Sequence, residues 1–88
     1  MKSRIDLYVI NKVKEKRLAK NWSQLDLANE MEVSAGFVGQ AESPRYPTKY
    51  NMQHINTLAK IFNCSPQDFL LGCPYNFPLL NTYTLVQK

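Results

Sequence analysis

Residues 23–42 read SQLDLANEMEVSAGFVGQAE, and their reading decides the fold. Ser23 stands ahead of an apolar-periodic run as a hydroxyl N-cap. Asp26 follows three residues on, a capping box with aspartate in place of the usual glutamate. Leu27, Ala28 and Met31 then share one helix face, and Ala28 is small enough to let a second helix cross closely. Glu32-Val33-Ser34 interrupts the helix, with Val33 placed to pin the turn to the core. Ser34 is expected to cap a second helix, on which Phe37, Val38 and Ala41 repeat at helical spacing. The plan is two short helices joined by a three-residue turn, a helix-turn-helix with its second helix left projecting.

Outward from this stretch the chain reads as more helix. Ile5, Tyr8 or Val9, and Val13 fall at helical spacing, so residues 4–20 form an amphipathic first helix. Asn21 is a stop signal, and Trp22 is an apolar anchor leading into the next helix. Residues 43–48, SPRYPT, must be a loop, because each proline lacks a backbone donor and disfavours helix at the residue before it. A fourth helix is expected from about Asn51 to Phe62, with Met52, Ile55, Leu58, Ala59 and Phe62 on one face, and Asn63 ends it in a left-handed conformation. Ser65-Pro66 opens a fifth, Pro66 to Leu71, which stops at Gly72. Two units follow: a helical domain over 1–72 and an extension over 73–88. The extension holds prolines and Asn76, then the strand formers Thr82 to Val86, so it is irregular or strand-forming. Tyr75, Phe77, Leu79 and Leu80 call for cover, either from the chain's own core or from a second subunit by strand pairing or exchange.

Composition narrows the function. At 88 residues and 44% hydrophobic content the chain can bury one modest core, so disorder is not expected. No run of about 18 apolar residues offers a membrane span, and the charged start MKSRIDLYVINKVKEK is no signal peptide. A cytoplasmic location and no membrane partner are therefore expected. Cys64 and Cys73 make no disulfide framework, and with the lone His54 they match no zinc signature. Cys64 follows Phe62 where an apolar residue is expected, so it is read as a buried free thiol, and Cys73 lies in a Gly-Cys-Pro loop. No recognisable nucleophile, metal site or cofactor motif is present, and an enzyme is not expected.

The net charge of +4 suits a polyanion partner, but its distribution is uneven. Residues 1–20 carry Lys2, Arg4, Lys12, Lys14, Lys16, Arg17 and Lys20 against Asp6 and Glu15. Residues 21–43 carry Asp26, Glu30, Glu32 and Glu42 with no cation, and residues 44–60 carry Arg45, Lys49 and Lys60. Positive charge flanks the helix-turn-helix and does not lie within it. The first basic block is either a solvated helix face or a phosphate-facing one.

Arg17, Ser23-Gln24, Leu27-Ala28, Val33-Ser34, Val38, Glu42, Pro47, Ile55, Leu58-Ala59, Phe62 and Ser65 to Phe69 stand in an order and spacing that resembles the phage-repressor and Cro type of helix-turn-helix domain. The resemblance covers roughly residues 9–71. It implies an all-α, five-helix lambda-repressor-like domain, usually dimeric, that represses transcription or autoregulates an operon and places its third helix in the DNA major groove. Carried over by position, Gln24 contacts phosphate and can buttress the reading helix. Ser34, Ala35, Gly36, Phe37 and Gln40 match the groove-facing positions, and Arg45 falls in the backbone-touching loop. Arg17 and Glu42 match a structural pair joining helix one to the end of helix three. Glu32 stands where the family commonly has glycine, so modest strain is expected in the turn.

By chemistry alone, Gln40 is the convincing base reader, since its amide can bond an adenine edge in two places. Ala35 offers a thymine methyl contact, and Gly36 offers no side chain. Phe37 suits a thymine methyl or the core. Phosphate attraction is left to helix one, Arg45, Lys49 and the helix N-termini at Gln24 and Ser34. Two functions follow. One is a sequence-specific DNA-binding regulator, a dimeric repressor or autoregulator whose partner is double-stranded DNA. The other is a protein-interaction module or antitoxin-like partner-binding protein on the same scaffold.

Overall fold

The computed structural model describes residues 2–70. These form an all-α globule of four α-helices and one 3-10 turn: α1 (Arg4–Ala19), α2 (Gln24–Met31), α3 (Phe37–Glu42), α4 (Met52–Ile61) and the turn Pro66–Phe69. The expectations for Cys73 and for the tail 73–88, and the end of the fifth helix at Leu71 and Gly72, lie outside the described residues. The fifth helix itself is corrected: over Pro66–Phe69 it is a single 3-10 turn and not an α-helix. Its capping box fills so short a segment that the bonds run over three residues, Asp68 N–H to the Ser65 carbonyl and Leu70 N–H to that of Gln67. None of the helices among these residues is long and apolar enough to cross a membrane.

Capping chemistry starts four of the five elements. Ser3–Asp6, Ser23–Asp26, Asn51–His54 and Ser65–Asp68 each form a reciprocal capping box. The exception is α3. Ser34 does not cap it; Gly36 occupies the N-cap position with no side-chain bond. The Phe37 N–H, which a Ser34 hydroxyl would have taken, donates instead to the Ser34 carbonyl at 3.0 Å. The helix therefore begins two residues late, and the connection between α2 and α3 spans residues 32–36 in place of three residues.

Three helices end alike. Asn21, Glu32 and Asn63 adopt positive φ of 60°, 60° and 55°. The next residue's N–H then reaches back: Trp22 to the Arg17 carbonyl, Val33 to Ala28 and Cys64 to Ala59, at 2.9–3.1 Å. Trp22, Val33 and Cys64 all pack on the core from these positions. Each terminus thus turns the chain and seats an apolar side chain in one step. Asparagine tolerates the left-handed region; the Glu32 side chain does so only with strain. Cys64, expected to be buried, is half-buried.

The core gathers one face of every element. Val13, Leu27, Ala28, Val38, Ala41, Leu58 and Phe69 are fully buried, with Val9, Ile10, Met31, Ile55 and Ala59 around them. Ala28 on α2 and Ala41 on α3 are both fully buried in this core. On α1 the buried apolar residues are Val9, Ile10 and Val13, while Ile5 and Tyr8 are only half-buried. Met52 departs from its expected face and is 78% exposed. Phe37, Tyr50 and His54 pack together at that end of α4 and close the core without it.

Glu32→Gly removes the Cβ that disfavours φ 60° and is expected to raise stability by about 0.5–1 kcal/mol in urea denaturation. A loss of stability would show that the Glu32 side chain supports the turn.

Candidate nucleic-acid interface

The candidate surface is built on α3, a helix of six residues. So short a helix has little stability of its own and depends on what grips it. Val38 and Ala41 bury its inner face. Arg17, from the last turn of α1, holds its end: Nε donates to Glu42 Oε2 at 3.0 Å and Nη2 to Oε1 at 2.9 Å. Both side chains are buried, 7% and 5% exposed. Nη1 donates to the Trp22 carbonyl at 2.7 Å, so the guanidinium also fixes the chain entering α2. This is the structural pair that the resemblance implies.

Gln24 extends the grip. Its Nε2 donates to Glu42 Oε1 at 2.9 Å, tying the first residue of α2 to the last of α3. The route passes over Gly39, where a Cβ would stand 3.0 Å from Gln24 Oε1. Gly39 is thus the gap through which Gln24 reaches across, a reason for glycine that helix propensity does not reveal.

The structure brings only some of the expected site residues together. Ser34, Ala35, Gly36 and Gln40 are exposed and adjacent, with a Cβ on Gly36 falling 3.9 Å from Gln40 Nε2. Gln40 Oε1 accepts from Thr48 Oγ1 at 3.3 Å, which orients its amide. Thr48 was not anticipated; a lone hydroxyl after Pro47 carried no signal for it. Phe37 is turned inward. Its half-buried ring lies 4.9 Å from that of His54 and 5.9 Å from that of Tyr50, so of its two readings the core one holds. Lys49 Nζ pairs with Asp6 Oδ2 at 3.3 Å, while Arg45 is exposed in the loop after α3.

Electrostatics refine the charge map. The Ser3 backbone N–H bonded to Asp6 holds this carboxyl below its ordinary value, and Lys49 adds to the effect. Lys12, Lys16 and Lys20 lie over the rings of Tyr8, Phe69 and Trp22, at 5.8, 5.7 and 5.2 Å. Three cations expected to serve phosphate thus sit along one side of α1 over aromatic faces. The N-terminus of α2 carries its own carboxylate, Asp26, and Ser34 starts no helix, so neither is the open anion site anticipated. Among the described residues no three His, Cys, Asp or Glu side chains are grouped to hold a metal ion.

Compared with known proteins, the chain matches no family model, no curated protein and no solved structure. Its own geometry carries the functional argument.

Behind the surface sit two perturbed groups. Burial pushes the Tyr50 hydroxyl well above the ordinary phenol value, with the Glu42 charge adding to it. That hydroxyl has no hydrogen-bond partner among the described residues. Burial also lowers the His54 value below its usual 6.5, and Nδ1 accepts the Asn51 N–H at 3.1 Å, a bond that protonation would break. Below about pH 6.5 the unfolded chain binds a proton that the folded chain resists, so stability falls from there down through the lower folded value. Urea denaturation from about pH 7.5 to about pH 5 is expected to show this loss, and His54→Gln to show less of it. Parallel profiles would contradict the assignment.

Proposed function

We propose that this chain is a sequence-specific DNA-binding regulator of the phage-repressor and Cro type, a repressor or autoregulator that reads two half-sites as a homodimer. The observation that carries the reading is Gln40. It stands exposed on a short helix gripped from behind, and its amide nitrogen has no partner among the described residues. A glutamine so placed can accept from adenine N6 and donate to N7. The bare Ala35-Gly36 turn beside it lets a duplex come close to the backbone, and Thr48 and Arg45 flank it for phosphate. Phe37 has no part in this contact, and Gln24 acts by buttressing α3.

A single subunit offers few cations to DNA, since Arg17, Lys2 and Lys49 are engaged within the fold. Its binding is therefore weak and salt-dependent, and useful specificity requires a second copy. A second reading, a protein-binding module, is favoured by the groove lined by Leu7, Pro44, Tyr46 and Pro47, with Lys2 and Arg45 at its side. Leu7 and Tyr46 there are 45% and 47% exposed.

Titrating the chain's own promoter DNA and a random duplex across salt concentrations separates the two. A promoter preference with an affinity that falls as salt rises is expected, and Gln40→Ala is expected to relax preference at one base position by about 1–3 kcal/mol. Equal binding to both duplexes with a flat salt dependence would favour the protein-binding module.

A further inference from the structure

The end of α3 is unlike the others. α1, α2 and α4 each close through a left-handed residue followed by a backbone N–H reaching back five residues. At α3 this closure is unavailable for a covalent reason. Its C-cap, Ser43, precedes Pro44, which holds Ser43 extended at φ −91° and ψ 134° and supplies no N–H of its own. The carbonyls such a closure would satisfy are those of Gln40 and Ala41.

Lys2 takes them. Its Nζ donates to the Ala41 carbonyl at 2.6 Å, to Ser43 at 2.6 Å and more weakly to Gln40 at 3.4 Å. An ammonium has three hydrogens, and here three carbonyls at the end of one helix lie within its reach. A positive charge there also suits the helix dipole. The position of Lys2 is fixed in turn, because Ser3 forms the capping box that starts α1.

We propose that Lys2 is a positioning residue for α3: its ammonium replaces the backbone closure that Pro44 forbids and so sets the pose of Gln40. The bearing on DNA rests on the function proposed above; the closure of α3 does not. With its donors spent inside the fold, Lys2 positions the reading helix and does not itself neutralise a phosphate.

Two variants test this, Lys2→Met, similar in length without charge or donors, and Lys2→Arg, which keeps both. Hydrogen exchange of the α3 amides is expected to run at least about fivefold faster in Lys2→Met, with α2 and α4 unaltered, and to return toward the original rate in Lys2→Arg. Promoter affinity is expected to fall roughly tenfold in Lys2→Met with the salt slope unchanged. Unaltered α3 exchange in Lys2→Met overturns the proposal. A salt slope smaller by about 1 overturns it too, because it makes Lys2 a phosphate ligand. If the original protein shows no duplex preference while Lys2→Met still speeds α3 exchange, the DNA-binding reading fails and the positioning role stands.

Discussion

A guanidinium and a carboxylate buried together hold this fold in register. Arg17 lies in the last turn of α1, Glu42 ends α3, and the two-pronged bond between them leaves both side chains almost wholly out of solvent. Removing either charge would strand the other in an apolar setting, which makes the pair a strict constraint whatever its net contribution. Further contacts are arranged around it. The Trp22 carbonyl takes the third prong of Arg17, Gln24 donates to the same Glu42 Oε1 that Arg17 Nη2 reaches, and Gly39 keeps the path of Gln24 open. Tyr50 feels the Glu42 charge from the core side. The short helix is thus fixed by polar geometry at its end and by Val38 and Ala41 along its inner face.

This division of labour has a functional consequence. A six-residue helix with glycine at its third position has little intrinsic reason to persist, and its apolar face alone would leave it free to slide or rotate. Directional bonds from α1 and α2 remove that freedom while leaving the outer face bare. The result is a rigid presentation of few side chains, consistent with a surface that approaches a partner through backbone and one oriented amide. Rigidity of this kind limits the ordering cost when the partner arrives.

Much of this was legible in the sequence because it was local. Ser23 with Asp26, Ser65 with Pro66, and the asparagines at 21 and 63 act within a turn of themselves, and each does what its chemistry foretold. The family resemblance supplied the Arg17–Glu42 pairing, which is long-range and which spacing alone could not show. The misreadings have the same root. A hydroxyl at Ser34 looked like a cap, but its expected donor, the Phe37 N–H, was taken by the Ser34 carbonyl in a tight turn. Met52 matched the spacing of an apolar face, yet it stands at the first residue of α4 and points to solvent. Lys2 acts across 39 and 41 residues, and in the sequence it was one cation among seven in a basic block. Among the candidate contacts, Gln40 keeps its exposed position, Phe37 packs on the core, and Gln24 is seen in its buttressing role.

The central claim is that the Arg17–Glu42 pair couples α1 to α3, and a double-mutant cycle measured by urea denaturation tests it directly. Arg17→Met and Glu42→Leu are each expected to cost about 3–5 kcal/mol, because each strands a buried charge. The double variant strands none, so its loss should fall short of the sum by about 2 kcal/mol or more. Losses that add to within about 0.5 kcal/mol would contradict the account, since the two side chains would then contribute independently.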